Sequence, residues 1–319
     1  MWRRPPLATS LPDVARGGLS LANVLDVDRA LVTMGGVAWG GVGKSEVALW
    51  IAARWARDRK RYGKVAFISH GYRGRSPRPE RVLLPQRAQL TEVERAEALE
   101  RWGDEALMAS WRAPEGVEVW AGGAWLERVQ WSERQGATHL ICDGGLYRRE
   151  LSPTAQLCLF DPNLRPRLFP LGDLCRPTRH FPHGVSWWAH GSQARNAPLP
   201  LHFQSCAPII AQSDYHNLSL LSPSGERVSS EFLKGKTVEP WLGTARPQRL
   251  LNRLRALGAS LLDPVQTRNH RPFPTRTVQN QLASGVLRVC TYKDLPRLPV
   301  DLEVYVLEPN LYVEERGDG

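Results

Sequence analysis

The chain has 319 residues, of which 42% are hydrophobic and 23% are charged. This length and composition support one large α/β domain or two smaller ones around a hydrophobic core, and they exclude an intrinsically disordered chain. The net charge of +10, from 42 basic and 32 acidic residues, indicates a polyanionic partner. Composition leaves open whether that partner is nucleic acid, an anionic lipid surface or a phosphorylated substrate.

The cysteines and the apolar runs indicate the cellular compartment of the protein. Five cysteines are scattered along the chain without a CxxC pair, which is typical of reduced thiols in a cytoplasmic protein. No run approaches the roughly 18 consecutive apolar residues of a membrane-spanning helix. The first 28 residues carry charges and lack the continuous apolar segment of a secretory signal. We therefore expect a cytoplasmic protein whose contact with membranes is peripheral.

From residue 29 onward, short apolar runs alternate with longer helical patterns, which is typical of a parallel sheet covered by helices. The predicted strands are residues 31–34, 64–69, 117–120, 138–142 and 156–161. The predicted helices are residues 44–59, 91–112 and 124–135, where apolar residues recur at three-to-four spacing. These elements predict a doubly wound α/β domain over residues 1–180.

The rest of the chain is expected to form a second, smaller α/β lobe over residues 181–319. Residues 162–200 are rich in Pro, Arg and His, so we predict a crossover or linker there. A hairpin or hinge is expected near residues 219–235, around Pro223 and Gly225. The remaining predicted elements are a helix at residues 247–257, capped by Gly258, and late strands at residues 286–291 and 303–307.

The sharpest local motif is GGVGKS, residues 40–45, which follows the first predicted strand and opens a helix. A glycine-rich turn lets backbone N–H groups approach phosphates closely, and the helix N-terminus favours their negative charge. The pattern predicts that Lys44 reaches the β- and γ-phosphates of ATP and that the Ser45 hydroxyl binds Mg²⁺. The predicted nucleotide-binding residues are Gly40, Gly41, Val42, Gly43, Lys44 and Ser45. The alternative is a flexible glycine-rich turn with an exposed lysine.

Asp143 stands at the end of an apolar strand, where a carboxylate can meet the Mg²⁺ held by Ser45. The alternative is an ordinary turn residue after a strand. A zinc site drawn from Cys175 and the histidines His180, His183 and His190 is disfavoured, because the spacing matches no tight template. Basic segments occur without a nucleic-acid recognition motif, so no nucleic-acid partner is expected.

The segment MGGVAWGGVGKS, residues 34–45, resembles the P-loop of tetraacyldisaccharide 4'-kinase, the lipid A 4'-kinase of Gram-negative bacteria, which also lacks the usual first glycine. Further matching segments follow in the same order: ISHGYRGRS, GDEA, GATHLICDGGL, LGTARPQRLLNRLRALG, NHRPF and TYKD. The resemblance runs from about residue 32 to residue 307. It implies a P-loop NTPase-like, doubly wound sheet with a smaller second lobe.

The resemblance also implies a reaction, the transfer of the ATP γ-phosphate to the 4'-hydroxyl of a lipid A disaccharide precursor, with ATP and Mg²⁺ as cofactors. Asp104 and His270 align with the proton-abstracting pair of the family, and Lys44 would act on the transferred phosphate. A carboxylate partnered by a histidine can take the proton of a sugar hydroxyl as it attacks. Without the resemblance, the sequence alone favours a solvated charge on a helix for Asp104 and an ordinary loop histidine for His270. Because His270 lies in the second lobe, the two lobes are expected to close for catalysis.

The chain also departs from the family. Gly144 stands where the family has a second aspartate, although a glycine there also tolerates a positive φ. His70 replaces an arginine, Glu46 replaces a proline, and Cys175 and Arg176 replace an arginine–glutamate pair. These departures motivate an alternative, a catalytically weak nucleotide-binding homologue that acts as a binding or regulatory module. A kinase for another glycolipid is equally compatible with the site.

The expected location is the cytoplasmic face of the inner membrane. The family normally begins with a membrane-spanning helix, whereas this sequence begins with a short polar and basic segment. We expect peripheral docking on an anionic membrane surface through Lys and Arg side chains and some of the 12 Trp residues. The expected acceptor is a lipid A disaccharide precursor or a related glycolipid. The oligomeric state and the acyl pattern of the acceptor do not follow from the sequence.

Overall fold

The computed structural model describes residues 20–38, 42–85, 87–165, 167–168, 171–175, 184–191, 209–243, 247–267, 271–273 and 286–316. The helices within these ranges are α1 Leu21–Leu25, α2 Lys44–Arg57, α3 Arg59–Tyr62, α4 Glu92–Trp102, α5 Asp104–Arg112, α6 Trp125–Arg134 and α7 Pro247–Ala256. The strands are β1 Ala30–Gly36, β2 Lys64–Ile68, β3 Glu80–Arg81, β4 Val117–Ala121, β5 Ala137–Asp143, β6 Ala155–Phe160, β7 Ser186–His190, β8 Ile209–Leu221, β9 Arg227–Ser229, β10 Thr237–Leu242, β11 Ser260–Leu261, β12 Val265–Gln266, β13 Leu287–Thr291 and β14 Tyr305–Glu315.

The first part of the sheet is parallel, in the order β7-β6-β1-β5-β2-β4, with β3 antiparallel at its edge. Strand β1 is buried over its whole length because other strands flank it and helices cover the sheet. Side chains of β2 alternate between two cores: Val65 and Phe67 pack in the cluster that includes α2 and α5, whereas Ala66 and Ile68 pack with α6. This is the expected α/β architecture with helices on both faces.

The sheet continues into the second part of the chain. Strand β8 pairs parallel with β7 and antiparallel with the long strand β14. Strands β14, β13, β10 and β11 then follow in parallel order. A separate cluster of buried residues, which includes Leu218, Leu254 and Val289, forms under α7. The division of the chain into lobes at residues 180 and 181 remains a prediction.

Most of the predicted elements are confirmed to within a few residues, and two are corrected. Residues 91–112 are not one helix, because Gly103 adopts a φ of +83° and separates α4 from α5. Residues 162–200 are not wholly a linker, because the segment SWWAH forms β7, which is buried between β6 and β8. Among the described residues, no helix is long and apolar enough to span a bilayer.

Gly103→Ala tests whether the break between α4 and α5 requires glycine. A side chain there would adopt an unfavourable φ and overlap the carbonyl oxygen of Tyr72. We expect a loss of about 3 kcal/mol or more in the free energy of unfolding, measured by denaturant titration. Gly225→Ala is the matched control, since Gly225 has a φ of +89° but a Cβ there meets no atom within 4 Å. The control should lose only about 1–2 kcal/mol. Equal losses would contradict the steric explanation.

Candidate nucleotide and magnesium site

The strand, turn and helix around the glycine-rich motif have the arrangement that the sequence predicts. Strand β1 ends at Gly36, and α2 begins at Lys44. Gly43 caps α2 with a φ of +75°, so the unpaired N–H groups of the first helical turn face the turn before them. These groups and the helix dipole favour an anion in front of Lys44 and Ser45. The other two predicted glycines, Gly40 and Gly41, lie outside the described residues, and Val42 is buried.

A buried histidine forms the floor beneath this turn. A Cβ at Gly43 would lie 2.6 Å from Cδ2 and Nε2 of His190, the last residue of β7. His190 Nδ1 lies 2.9 Å from the Ser213 hydroxyl of β8, and its ring packs edge-on against Tyr215. The turn can therefore approach β7 closely only with glycine at position 43. From the sequence, His190 was considered only as a zinc ligand. Its position at the end of an apolar run is the feature that could have predicted a buried histidine at the end of a strand.

Ser45 and Asp143 meet at the carboxyl edge of the sheet. The Ser45 hydroxyl donates a hydrogen bond of 2.5 Å to Oδ2 of Asp143. The contact follows from the parallel pairing of β1 with β5, which places Met34 beside Asp143. Ligands of open α/β sheets bind at this edge. Asp143 is buried and hydrogen-bonded to Ser45, so it is not the ordinary turn residue of the alternative interpretation.

A second carboxylate acts on Asp143. Burial and the negative charge of Glu105 raise the pKa of Asp143 to about 6, against the opposing effects of the Ser45 hydrogen bond, Lys44 and Lys293. Glu105 lies in the first turn of α5 and pairs with Lys293 Nζ at 3.3 Å. Sequence reasoning missed Glu105, although it follows Asp104 in the GDEA segment. Two carboxylates and a hydroxyl are oxygen donors of the kind that Mg²⁺ prefers, so the residues present fit this ion.

Asp104 is held in a buried ionic network. Its side chain is 3% exposed, which rules out the solvated helix charge of the alternative interpretation. Nε of Arg297 lies 3.6 Å from Oδ2 of Asp104, and Nη2 of Arg297 donates to Asp294. Asp294 accepts further hydrogen bonds from the Gly243 amide at 2.9 Å and the Thr291 hydroxyl at 2.7 Å. The TYKD segment therefore supplies the residue that holds the cation compensating Asp104.

His270, the predicted partner of Asp104, lies outside the described residues. The described residue Phe273 follows it closely in the chain. Its backbone N–H donates to the Arg297 carbonyl oxygen at 3.3 Å, and the Arg297 guanidinium lies 5.7 Å from the Phe273 ring centroid. The segment that follows His270 is therefore attached to the same arginine that binds Asp104. Arg176 also lies outside the described residues.

The departure at Glu46 has a structural reason. Glu46 lies in the first turn of α2 and accepts a hydrogen bond from Nη1 of Arg112, at the end of α5. Both side chains are less than one-fifth exposed. This ion pair connects the helix that follows the glycine-rich turn to the helix that carries Asp104 and Glu105. The acidic residue therefore has a partner that a proline would lack.

Asp143→Asn measures how much the buried charge of Asp143 destabilises the ligand-free protein. Because the pKa of Asp143 is raised from 3.8 to about 6 in the folded protein, the folded state binds more protons than the unfolded chain between these values. The free energy of unfolding therefore falls as pH rises from about 4 to 6, and the loss persists at neutral pH. We expect Asp143→Asn to stabilise the ligand-free protein at pH 8 by up to about 3 kcal/mol, with little effect at pH 4.

The melting temperature at the two pH values measures this difference. Asp263→Asn, at an exposed position, is the control for removing one negative charge. A lower melting temperature of Asp143→Asn at pH 8 would contradict the expectation.

Arg297→Lys tests the network around Asp104. Lysine keeps the charge but cannot bind two carboxylates with a planar fork, so we expect a loss of stability and, per folded molecule, a turnover at least about 10-fold lower. Arg288→Lys is the control, because Arg288 forms a buried pair with Glu239 at 3.5 Å on β13 and β10. The control should lose stability without losing turnover. An unchanged turnover in Arg297→Lys would exclude a positioning role.

Comparisons with known proteins identify the family of this chain. The family model of LpxK, tetraacyldisaccharide-1-P 4'-kinase, matches residues 15–317. A tetraacyldisaccharide 4'-kinase of Methylorubrum extorquens is 30% identical, and the match covers 96% of this chain and 90% of that relative. A tetraacyldisaccharide 4'-kinase of Anaeromyxobacter dehalogenans is 31% identical, and the match covers 89% of this chain and 76% of that relative.

The fold is also similar to a solved structure, the "apo" form of LpxK from Aquifex aeolicus in complex with ATP. The TM-score is 0.65 at 18% identity, and the match covers 90% of this chain and 85% of that chain. At this identity the likeness supports the fold alone. The family model and the relatives carry the assignment: the chain belongs to the LpxK family of tetraacyldisaccharide-1-P 4'-kinases.

Proposed function

We propose that this protein transfers the γ-phosphate of ATP to the 4'-hydroxyl of a lipid A disaccharide precursor. The observation that carries the proposal is the contact of Ser45 with Asp143 in front of the glycine-rich turn, with Glu105 acting on the same carboxylate. In a chain of this family, that arrangement is what ATP-dependent phosphoryl transfer requires. The names of the relatives supply the acceptor.

The positions of the residues support the roles that we propose for them on the nucleotide. Lys44 and the N-terminal amides of α2 would bind the β- and γ-phosphates. Ser45, Asp143 and Glu105 would hold Mg²⁺, which when bound neutralises charge that develops on the phosphates. Lys293 faces Glu105 from the second part of the chain and limits the repulsion between the two carboxylates.

Asp104 and His270 are proposed to act on the acceptor. As the 4'-oxygen attacks the γ-phosphorus, the hydroxyl proton passes to this pair, and the bond between the γ-phosphorus and the leaving oxygen of ADP breaks. Arg297 compensates the buried charge of Asp104 and fixes its orientation. Its contacts with Phe273 hold the chain three residues after His270.

The second candidate, a weak nucleotide-binding module, rests on Gly144. Position 144 lacks a carboxylate, but Glu105 supplies one whose negative charge raises the pKa of Asp143. The presence of Glu105 therefore argues against a weak binding module. We therefore favour an active kinase. A kinase for a related glycolipid would use the same residues.

Docking on the cytoplasmic face of the inner membrane is the proposed location. Leu168 and Leu171 are 45% and 76% exposed, and Arg165 beside them is largely exposed. This segment is attached to the chain before the glycine-rich turn, because the Cys175 amide donates to the Val37 carbonyl oxygen at 2.8 Å. Exposed leucines with basic neighbours suit an anionic lipid surface, and they would hold the site near a lipid acceptor.

The decisive experiment is phosphate transfer from ATP to a lipid A disaccharide precursor with Mg²⁺ present. We expect measurable transfer by the parent protein and a loss of about 10²-fold or more in Lys44→Ala, because fixed positive charge is removed from the transition state. Lys60→Ala, at an exposed position on α3, is the matched control and should transfer at the parent rate. ATP binding without transfer by the parent would favour the binding module. Equal transfer by Lys44→Ala would contradict the role of this lysine.

A further inference from the structure

Two positions at which the chain departs from its family pattern lie against each other. His70 follows β2 and Gly144 follows β5, and these strands are parallel neighbours with Ile68 beside Cys142. A Cβ at Gly144 would lie 2.8 Å from Cδ2 of His70. Both positions are therefore at the carboxyl edge of the sheet, beside Asp143. A side chain at position 144 would need the space that the imidazole occupies.

The backbone at Gly144 reinforces this exclusion. Gly144 has a φ of +99°, a conformation that other residues adopt only with strain. Its N–H donates to the Met34 carbonyl oxygen at 3.1 Å, which fixes the turn against β1. The turn therefore cannot shift away from His70 without losing this hydrogen bond. Position 144 accepts a carboxylate only at the cost of strain and of a displaced imidazole.

His70 is held in a defined position. Its ring lies edge-on to Trp125, with centroids 5.8 Å apart, and near Tyr72. Nη1 of Arg128 donates to its carbonyl oxygen at 3.3 Å. Nδ1 is buried and has no hydrogen-bond partner among the described residues. A buried N–H without an acceptor is costly, so the proton of the neutral ring belongs on Nε2.

The charges that face His70 come from several elements. Burial lowers the pKa of His70, Glu105 on α5 opposes this, and Arg128 on α6, Arg148 after β5 and Lys44 on α2 add to it. The ring is therefore neutral at neutral pH, with one N–H to donate. Lys44 and Glu105, which belong to the proposed ATP and magnesium site, both act on it. His70 thus lies at the same edge of the sheet as the proposed ATP and magnesium site.

We propose that His70 takes the place of the side chain that Gly144 lacks and donates a hydrogen bond from Nε2 to a phosphate oxygen of the bound nucleotide. The proposal rests on the proposed ATP site. It makes positions 70 and 144 a coupled pair in this chain, because the His70 imidazole occupies the space that a side chain at position 144 would need. A neutral donor supplies this contact without adding negative charge beside Asp143 and Glu105.

The first experiment measures the steric coupling without ligand. The melting temperatures of the parent, His70→Ala, Gly144→Ala and the double variant form a double-mutant cycle. Gly144→Ala should lower the melting temperature more in the parent than in the His70→Ala background. Gly136→Ala is the control for backbone strain alone, since Gly136 has a φ of +92° and a Cβ there meets no atom within 4 Å. Equal effects of Gly144→Ala in both backgrounds would overturn the coupling.

The second experiment measures the binding of a non-hydrolysable ATP analogue with Mg²⁺ by titration calorimetry. His70→Phe keeps a ring of similar size but has no donor, so we expect its dissociation constant to rise about 10-fold, as for a lost hydrogen bond to a charged group. His70→Gln can place an amide N–H near the position of Nε2 and should stay within about 3-fold of the parent. His70→Asn, whose amide matches Nδ1 instead, should resemble His70→Phe. Parent-like binding by His70→Phe would overturn the proposal.

These measurements use no acceptor lipid. A parent protein that binds the analogue but transfers no phosphate would refute the proposed function and leave the assignment of His70 to be decided by the binding series. Conversely, normal transfer with parent-like binding by His70→Phe would refute the assignment alone.

Discussion

The hydrogen bond between Ser45 and Asp143 is the constraint on which the site depends. It forms only if the glycine-rich turn and the end of β5 reach the same edge of the sheet, which the parallel pairing of β1 with β5 ensures. The Gly144 amide, bonded to the Met34 carbonyl oxygen, then fixes the carboxylate relative to the turn. Burial and the nearby charge of Glu105 disfavour the ionised form of Asp143. The ligand-free fold therefore carries an unfavourable buried charge that a bound cation would compensate.

The second part of the chain contributes to the site mainly through cations. Lys293 faces Glu105 and Arg297 faces Asp104, so the two consecutive acids that open α5 are each compensated from the segment between β13 and β14. The GDEA segment and the chain around TYKD, far apart in sequence, are thus joined by opposite charges, and the buried carboxylate of Asp104 would lose the compensating charge of Arg297 without this contact. Asp294, itself buried, accepts a hydrogen bond from Arg297, which therefore lies between Asp294 and Asp104.

The helices and strands with a regular spacing of apolar residues could be predicted from the sequence. Those that depend on contacts between distant parts of the chain could not. Strands β1 and β5 and helix α2 were found because buried strands and amphipathic helices have characteristic apolar patterns. The break at Gly103 was missed because apolar residues recur at helical spacing on both sides of it, whereas the positive φ and the close approach of Tyr72 that require glycine there appear only in the folded chain. Strand β7 was missed because its apolar run lies among Pro, Arg and His. For the site, Lys44, Ser45 and Asp143 follow from local motifs, whereas Glu105 and Arg297 owe their places to partners across the fold.

Two of the departures expected from the resemblance, Glu46 and Gly144, lie against side chains that account for them. Glu46 has Arg112, and Gly144 has His70 against its α-carbon. Considered as a single position, Gly144 is a lost acidic group. In the folded chain, Glu105 already places a second carboxylate near Asp143, and the space over position 144 is filled. An aspartate restored at position 144 alone would add a third negative charge to a site that already raises the pKa of Asp143, displace His70 and strain the turn. A carboxylate added at position 144 alone would therefore change both the space and the charge around Asp143.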